Sequence, residues 1–398
     1  MPPIESLRPT MDRLQRNCLA VGALGIIALI VGLVLKPEVA FQSYLWAYLF
    51  WFGITFGCLG IYLLHNVVGG NWGVVIRRFL ESGIRMLPLA FIALLPILFA
   101  MSKGHLYIWT NDAYVNAHHT VAVKHGYLTP WFFIVRAVFY FLIWFLWGFR
   151  LLRMSGEQDR TGDRDQLIAG RMKRFSAPGL VLFVFTICWA FIDWIMSLEP
   201  EWYSTMYPWL SMIGQVLLTI SFLVAVLVLL SKHKPFAGVL NFQHYNDLGN
   251  LMLCFTMLWA YMSFGQFLII WAENLPDEIP WYLRRFRFGW GYLAVFVAIF
   301  HFCVPFFLLL MRFIKRNPKF IFWLSIWMIF IRLVDLFWVV IPAFPIRQAN
   351  LSIVWTDIVA AIGMGGLWLG VFLWYLKSRP LLPMHDPRLA LQVLESKA

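Results

Sequence analysis

The stretch MYPWLSMIGQVLLTISFLVAVLVLL, Met206–Leu230, runs for 25 residues without a charged side chain. At a rise of 1.5 Å per residue a helix of that length is roughly 37 Å long, which exceeds the ~30 Å hydrocarbon core of a bilayer. A helix is also the form in which one segment satisfies its own backbone polar groups where no water is present. Working outward, similar apolar segments fall at 17–35, 44–66, 85–101, 130–151 and 178–197 before it, and at 245–272, 288–311, 320–341 and 351–376 after it. The sequence therefore predicts an all-α polytopic membrane protein with about ten transmembrane helices, the whole of 1–398 forming one integral membrane domain.

Composition excludes the soluble alternatives. A soluble domain carries about a quarter charged residues, whereas this chain is 13% charged and 61% hydrophobic with a mean hydropathy of +0.73. A net charge of +12 could suggest nucleic acid, but the basic residues lie between the apolar segments and act as topology signals. One side of the alternating layout collects 23 Lys and Arg and the other 7, which predicts a multi-pass membrane protein with both termini in the cytoplasm and no nucleic-acid partner. Arg8, Arg13 and Arg16 before the first segment mimic a signal peptide, yet the run to Leu35 is too long for a cleavable apolar region, so it reads as an uncleaved first helix. Cys18, Cys58, Cys188, Cys254 and Cys303 sit in apolar segments without paired spacing and read as small hydrophobes.

Two loops stand out. The stretch 65–85 mixes Trp72, Val75, Ile76, Phe79 and Leu80 with Arg77, Arg78 and Glu81, a pattern that predicts an amphipathic helix lying along the membrane interface. The loop 102–129, on the opposite side, is long and aromatic, which suggests a docking surface.

A charge in hydrocarbon costs several kcal/mol and is seldom kept without a use. Arg136, Asp193, Arg332, Asp335 and Asp357 nevertheless fall inside the spans, together with Gln266, and their distances from the span ends place them at one depth, roughly 6–9 Å in from the outer face. They sit on the fourth, fifth, seventh, ninth and tenth spans, so convergence on one site is geometrically possible. Arg332 and Asp335, three apart on one helix, share a face. Such a layer suits a polar pocket or a proton half-channel, the carboxylates carrying protons and the arginines setting their affinity. Structural ion pairing near the interface is the competing reading. His301 lies deeper, roughly 20 Å in, where an imidazole passes a proton or hydrogen-bonds a quinone carbonyl; Gln215 and His65, the latter at the inner end of the second span, would extend a polar path inward.

Absences narrow the chemistry. The seven remaining histidines fall in loops or tails, so a membrane b-type haem lacks its pair of facing axial ligands. There is no nucleotide-binding motif in a suitable context, and no metal site is expected. Gly53 with Gly57, and Gly366 with Gly370, form small-xxx-small faces that permit close helix packing. A short echo links the halves: Phe191-Ile192-Asp193-Trp194 ends the fifth span and Leu333-Val334-Asp335-Leu336-Phe337-Trp338 lies in the ninth, so Asp193 and Asp335 hold matching places if spans 2 to 5 and 6 to 9 are two four-helix bundles.

The stretch from Phe191 through Asp193, Ser197, Leu198, Glu199 and Pro200 to Trp202 and Pro208 resembles the signature of the NrfD-like membrane subunits of bacterial alternative complex III, and Tyr127-Leu128-Thr129-Pro130-Trp131 through Arg136 resembles that family's entry to its fourth span. The compact length is similar to the ActF branch rather than the longer ActC branch. The resemblance implies two four-helix bundles per subunit, a quinol:electron-acceptor oxidoreductase of a respiratory or photosynthetic chain, and a proton path through polar residues, to which Glu199 is added as a candidate. It further implies no redox centre on this chain and none bound covalently, menaquinone or another quinone as ligand, and haem and iron-sulfur clusters on partner subunits. Those partners would be a multihaem cytochrome, an iron-sulfur subunit, an ActC-like paralogue to which quinol oxidation is chiefly assigned, and small membrane subunits, with lipids around them. The alternatives are a structural scaffold in the same complex and a secondary transporter, the latter usually marked by broken helices in corresponding positions of its halves.

Overall fold

The computed structural model of the chain describes residues 4–163, 166–383 and 386; Arg164, Arg388 and Lys397 of the charge count lie outside them. The described residues form α1 (Ile4–Leu35), α2 (Pro37–Val68), α3 (Asn71–Ile84), α4 (Leu87–Ser102), α5 (Pro130–Thr161), α6 (Leu167–Trp194), α7 (Met206–Leu230), α8 (Phe242–Glu273), α9 (Pro280–Phe286), α10 (Trp290–Leu310), α11 (Pro318–Val340) and α12 (Trp355–Leu376), with short turns between. Among them nine helices are long and apolar enough to cross a membrane, or ten when α3 and α4 count as one span bent by 42°. The protein is an all-α multi-pass membrane protein. Below, the terminal face is the one where α1 begins and α12 ends.

Local sequence sets the helix starts. Pro37, Pro130 and Pro318 open α2, α5 and α11, where the missing N–H costs nothing. Asn241 caps α8, its side-chain oxygen accepting from the backbone of Gln243 at 3.0 Å and His244 at 3.2 Å.

Packing divides the helices into two rings of four and a flanking pair. In the first ring α2 meets α4 and α6, and α5 closes the circle by packing on both. In the second α7 meets α8 and α11, and α10 lies against the other two. The rings join through α2 and α6 on α7, while α1 and α12 run together along the outside of α2.

Glycines set these approaches. A Cβ on Gly25 would stand 2.3 Å from the Cα of Gly363, and one on Gly366 would stand 2.5 Å from the backbone nitrogen of Gly22. The backbones of α1 and α12 thus touch with no side chain between them, the contact by which helices associate in lipid without a hydrophobic driving force. Gly53 and Gly57 of α2 instead make room for side chains of α7, Gln215 and Thr219, which lie where their Cβ atoms would stand.

One loop expectation is corrected. The stretch 71–84 is helical but does not lie along the interface: every residue from Gly73 to Ile84 is buried. Its polar face is turned onto protein, because Arg77 donates to Glu81 at 3.1 Å, Asp386 at 2.7 Å and Ser155 at 3.0 Å, while Arg78 reaches Asp159 at 2.5 Å. The 102–129 loop turns its aromatics inward, burying Tyr107 and Trp109 on the first ring, with the Tyr107 hydroxyl donating to the Trp194 carbonyl at 3.1 Å.

Replacing Gly363 by Leu is expected to destabilise the protein by about 1–3 kcal/mol through overpacking against α1. Gly265, with open space around its Cβ position, should accept Ala without loss. Thermal unfolding in detergent, monitored by tryptophan fluorescence, checks both.

Candidate functional site

The in-span charges do not converge. They form separate centres, two of them each within one ring and the others joining elements of different packing units.

The first lies in the first ring. Two turns into α5, Arg136 grips Asp193 near the end of α6 with both edges of its guanidinium, Nε to Oδ2 at 2.9 Å and Nη2 to Oδ1 at 2.8 Å. Its third nitrogen donates to the Tyr127 carbonyl at 2.9 Å, and its plane lies 3.7 Å over the Tyr127 ring. The hydroxyls of Tyr127 and Tyr140 donate to Asp193 at 2.9 and 2.8 Å. Four donors saturate the carboxylate, and Arg136 does not snorkel to the surface. The arrangement is a clamp between α5 and α6.

The second centre ties α12 to α2. Asp357 is not deep in a span, because α12 begins only at Trp355, and the carboxylate sits in its first turn, accepting from the Val354 N–H at 3.0 Å. Arg347, which sequence reading counted only as a topology signal, binds it at 2.8 and 2.6 Å, and the Ser43 hydroxyl of α2 donates at 2.6 Å. Glu199 likewise closes a loop junction, taking Arg284 at 2.8 Å and Arg285 at 2.7 Å. Arg285 stacks 3.7 Å over Trp281 and donates to the Val339 carbonyl at 2.7 Å.

The third centre differs. On α11 Arg332 pairs with Asp335 one turn on, its guanidinium lying where a Cβ on Gly214 would fall. Opposite stands His301, whose Nδ1 is 3.7 Å from Asp335 Oδ2 and whose ring is 4.1 Å from that of Trp259. Counting residues from the span ends had set His301 and Asp335 roughly 11 Å apart in depth; the span ends are not level, and the two residues meet. Both ring nitrogens of His301 are buried without a hydrogen-bond partner among the described residues.

Local sequence explains how His301 is presented. It lies in a π-helical segment, Ala298–Cys303, inside α10. In that register the residue at 305 would bond back to the Phe300 carbonyl, but Pro305 has no N–H to give. The freed carbonyl accepts instead from Trp327 Nε1 on α11 at 2.9 Å. The widened turn is therefore pinned to the helix that carries Asp335.

Beside this centre is a cavity of 380 Å³. Arg332, Asp335, Ser211 and Gln266 give it a polar floor, and Trp259, Trp281 and Trp338 are among its aromatic walls. Gln266 accepts from Ser204 at 3.2 Å and donates to the Tyr282 hydroxyl at 3.4 Å. Burial pushes the Tyr282 phenol up to about 12, which keeps its hydroxyl proton in place at neutral pH. Phe264 of α8 and Val295 of α10, 63% and 58% exposed, frame a lateral mouth toward the lipid region.

Of the sequence candidates, His301, Arg332, Asp335 and Gln266 come together here. Arg136 with Asp193, Asp357 and Glu199 stand in their own centres. His65 lies at the terminal end of α2, its Nε2 3.0 Å from the Gly70 carbonyl, and Gln215 donates to the Leu49 carbonyl at 3.1 Å. Sequence reading missed Arg347 and Arg285 as partners, and Tyr140 as a ligand of Asp193; the last was signalled by its place one turn after Arg136 on the same face. Among the described residues no group of three or more His, Cys, Asp or Glu could hold a metal ion. No protein-family model and no curated protein matches the chain.

The saturated clamp predicts a graded response. Arg136→Met leaves Asp193 buried without its cation and should cost about 3–5 kcal/mol, whereas Tyr140→Phe removes one donor of four and should cost about 1–2 kcal/mol. Melting temperatures of the two variants in one detergent give the order.

Proposed function

We propose that the second-ring cavity takes the ring of a lipid-soluble quinol and that Asp335 and His301 receive its protons. In this reading the chain is the cofactor-free membrane subunit of a bacterial quinol-oxidising complex of the alternative complex III type. It would sit in the inner membrane with the terminal face toward the cytoplasm, as the 23-to-7 distribution of basic residues favours. Electrons would pass to iron-sulfur and haem groups on partner subunits, since the chain offers no paired haem ligands.

One observation carries the reading: an aromatic-walled cavity whose lining includes Arg332 and Asp335, with His301, its imidazole nitrogens unsaturated, standing behind Asp335. A site for a hydrophobic ligand is mostly apolar with a few convergent polar groups. The lateral mouth suits a molecule that arrives through the bilayer. Asp335 pairs with Arg332, and His301 Nδ1 stands 3.7 Å from the same carboxylate oxygen, so a proton delivered to Asp335 has a second acceptor beside it without entering hydrocarbon. The motifs around Arg136 and Asp193 support the family reading, with those two residues as its clamp.

A scaffold role is the second reading, favoured by the four-fold saturation of Asp193. A secondary transporter is less favoured, because the interrupted spans are the second helix of one ring and the third of the other. Affinity purification of the intact assembly from native membranes should recover haem and iron-sulfur subunits with the chain; recovery of a stable chain alone counts against the complex. In that assembly Asp335→Asn should lower quinol-dependent turnover at least about tenfold while assembly is kept. Unchanged turnover would assign the chain a scaffold role.

A further inference from the structure

At the terminal face, where α4, α5 and α12 meet, a pocket of 820 Å³ is lined by four arginines, Arg85, Arg153, Arg160 and Arg379. Its single carboxylate, Asp159, is held by Arg78. None of the four arginines has an ion-pair partner among the described residues, and Arg85 and Arg379 repel one another. Arg379 lies over the bare backbone of Gly156, where a Cβ would come within 3.5 Å of its Nη2, and its Nη1 is buried without a hydrogen-bond partner. Like charges so gathered raise the energy of the fold unless an anion sits among them.

The other half of the pocket is apolar. Pro88 of α4 and Phe149 and Leu152 of α5 form its wall. From Phe149 a column of rings continues along the α4–α5 groove, Phe149 to Phe145 at 5.6 Å and Phe145 to Phe91 at 6.2 Å. Leu142 and Leu146 of α5, next in sequence to Phe141 and Phe145, are exposed. Cationic forks above and an apolar track below match one kind of ligand, a phosphate joined to acyl chains.

We propose that this pocket binds the phosphate headgroup of an anionic phospholipid from the leaflet at the terminal face, with its chains along the α4–α5 groove. Guanidinium groups take phosphate oxygens in pairs, and the bound lipid cancels the charge that the described residues leave open between the end of α12 and the first ring.

Native mass spectrometry of the purified full chain, titrated with phosphatidylglycerol or with phosphatidylcholine of the same acyl chains, tests this. Phosphatidylglycerol should be retained several-fold more. Arg153→Gln with Arg160→Gln, both exposed and without fold contacts to lose, should lower its retention by about fivefold per arginine. Arg379→Gln should act likewise, and Arg312→Gln, outside the pocket, should leave retention unchanged. Equal retention of the two lipids, or wild-type retention in the double variant, overturns the proposal. Displacement of phosphatidylglycerol by inorganic phosphate would assign the pocket to a free anion and overturns the lipid assignment.

Discussion

A carboxylate among helices in hydrocarbon must be met by a cation and by donors before either helix can pack, because no water is there to solvate it. That constraint organises the face opposite the termini. Asp193 fixes α6 to α5, Asp357 fixes the start of α12 to α2, and Glu199 fixes the crossing between the rings to the segment leading into α10. Each carboxylate binds the cation and donors that stand next to it, within a ring for Asp193 and across elements for Asp357 and Glu199, and for that reason the layer divides instead of converging.

The two rings solve the same problem differently. In both, the last helix carries the carboxylate and the third helix faces it. In the first the third helix brings Arg136, and two tyrosines complete the set. In the second the cation has moved onto the carboxylate's own helix as Arg332, and the third helix brings His301. The exchange replaces a guanidinium that grips the carboxylate across two helices with an imidazole, a group built to accept or donate a proton. A cavity accompanies the second arrangement and none of the 380 Å³ space beside Asp335 is lined by the residues of the first clamp.

Much of the fold was legible in the sequence, since long uncharged runs such as Met206–Leu230 admit one structure in lipid. The carboxylates and Arg136 were legible for the same reason: they interrupt such runs. Partners from loops were not. Arg347 and Arg285 carry no local mark that separates them from basic residues left at the surface, and only tertiary packing brings Arg347 onto Asp357. Segment 71–84 misled because an amphipathic pattern has the same period whether its polar face meets headgroups or, as Arg77 and Arg78 do, a buried ion network. The π segment at His301 was hidden too, although Pro305 four residues on marks the missing donor.

The contact of α1 with α12 has a consequence for the order of assembly. Among the described residues α1 finds most of its packing on α12, far along the chain from it. The two glycine faces meet only once the segments between them are in place, so this long-range contact forms late and ties the two ends of the described bundle together.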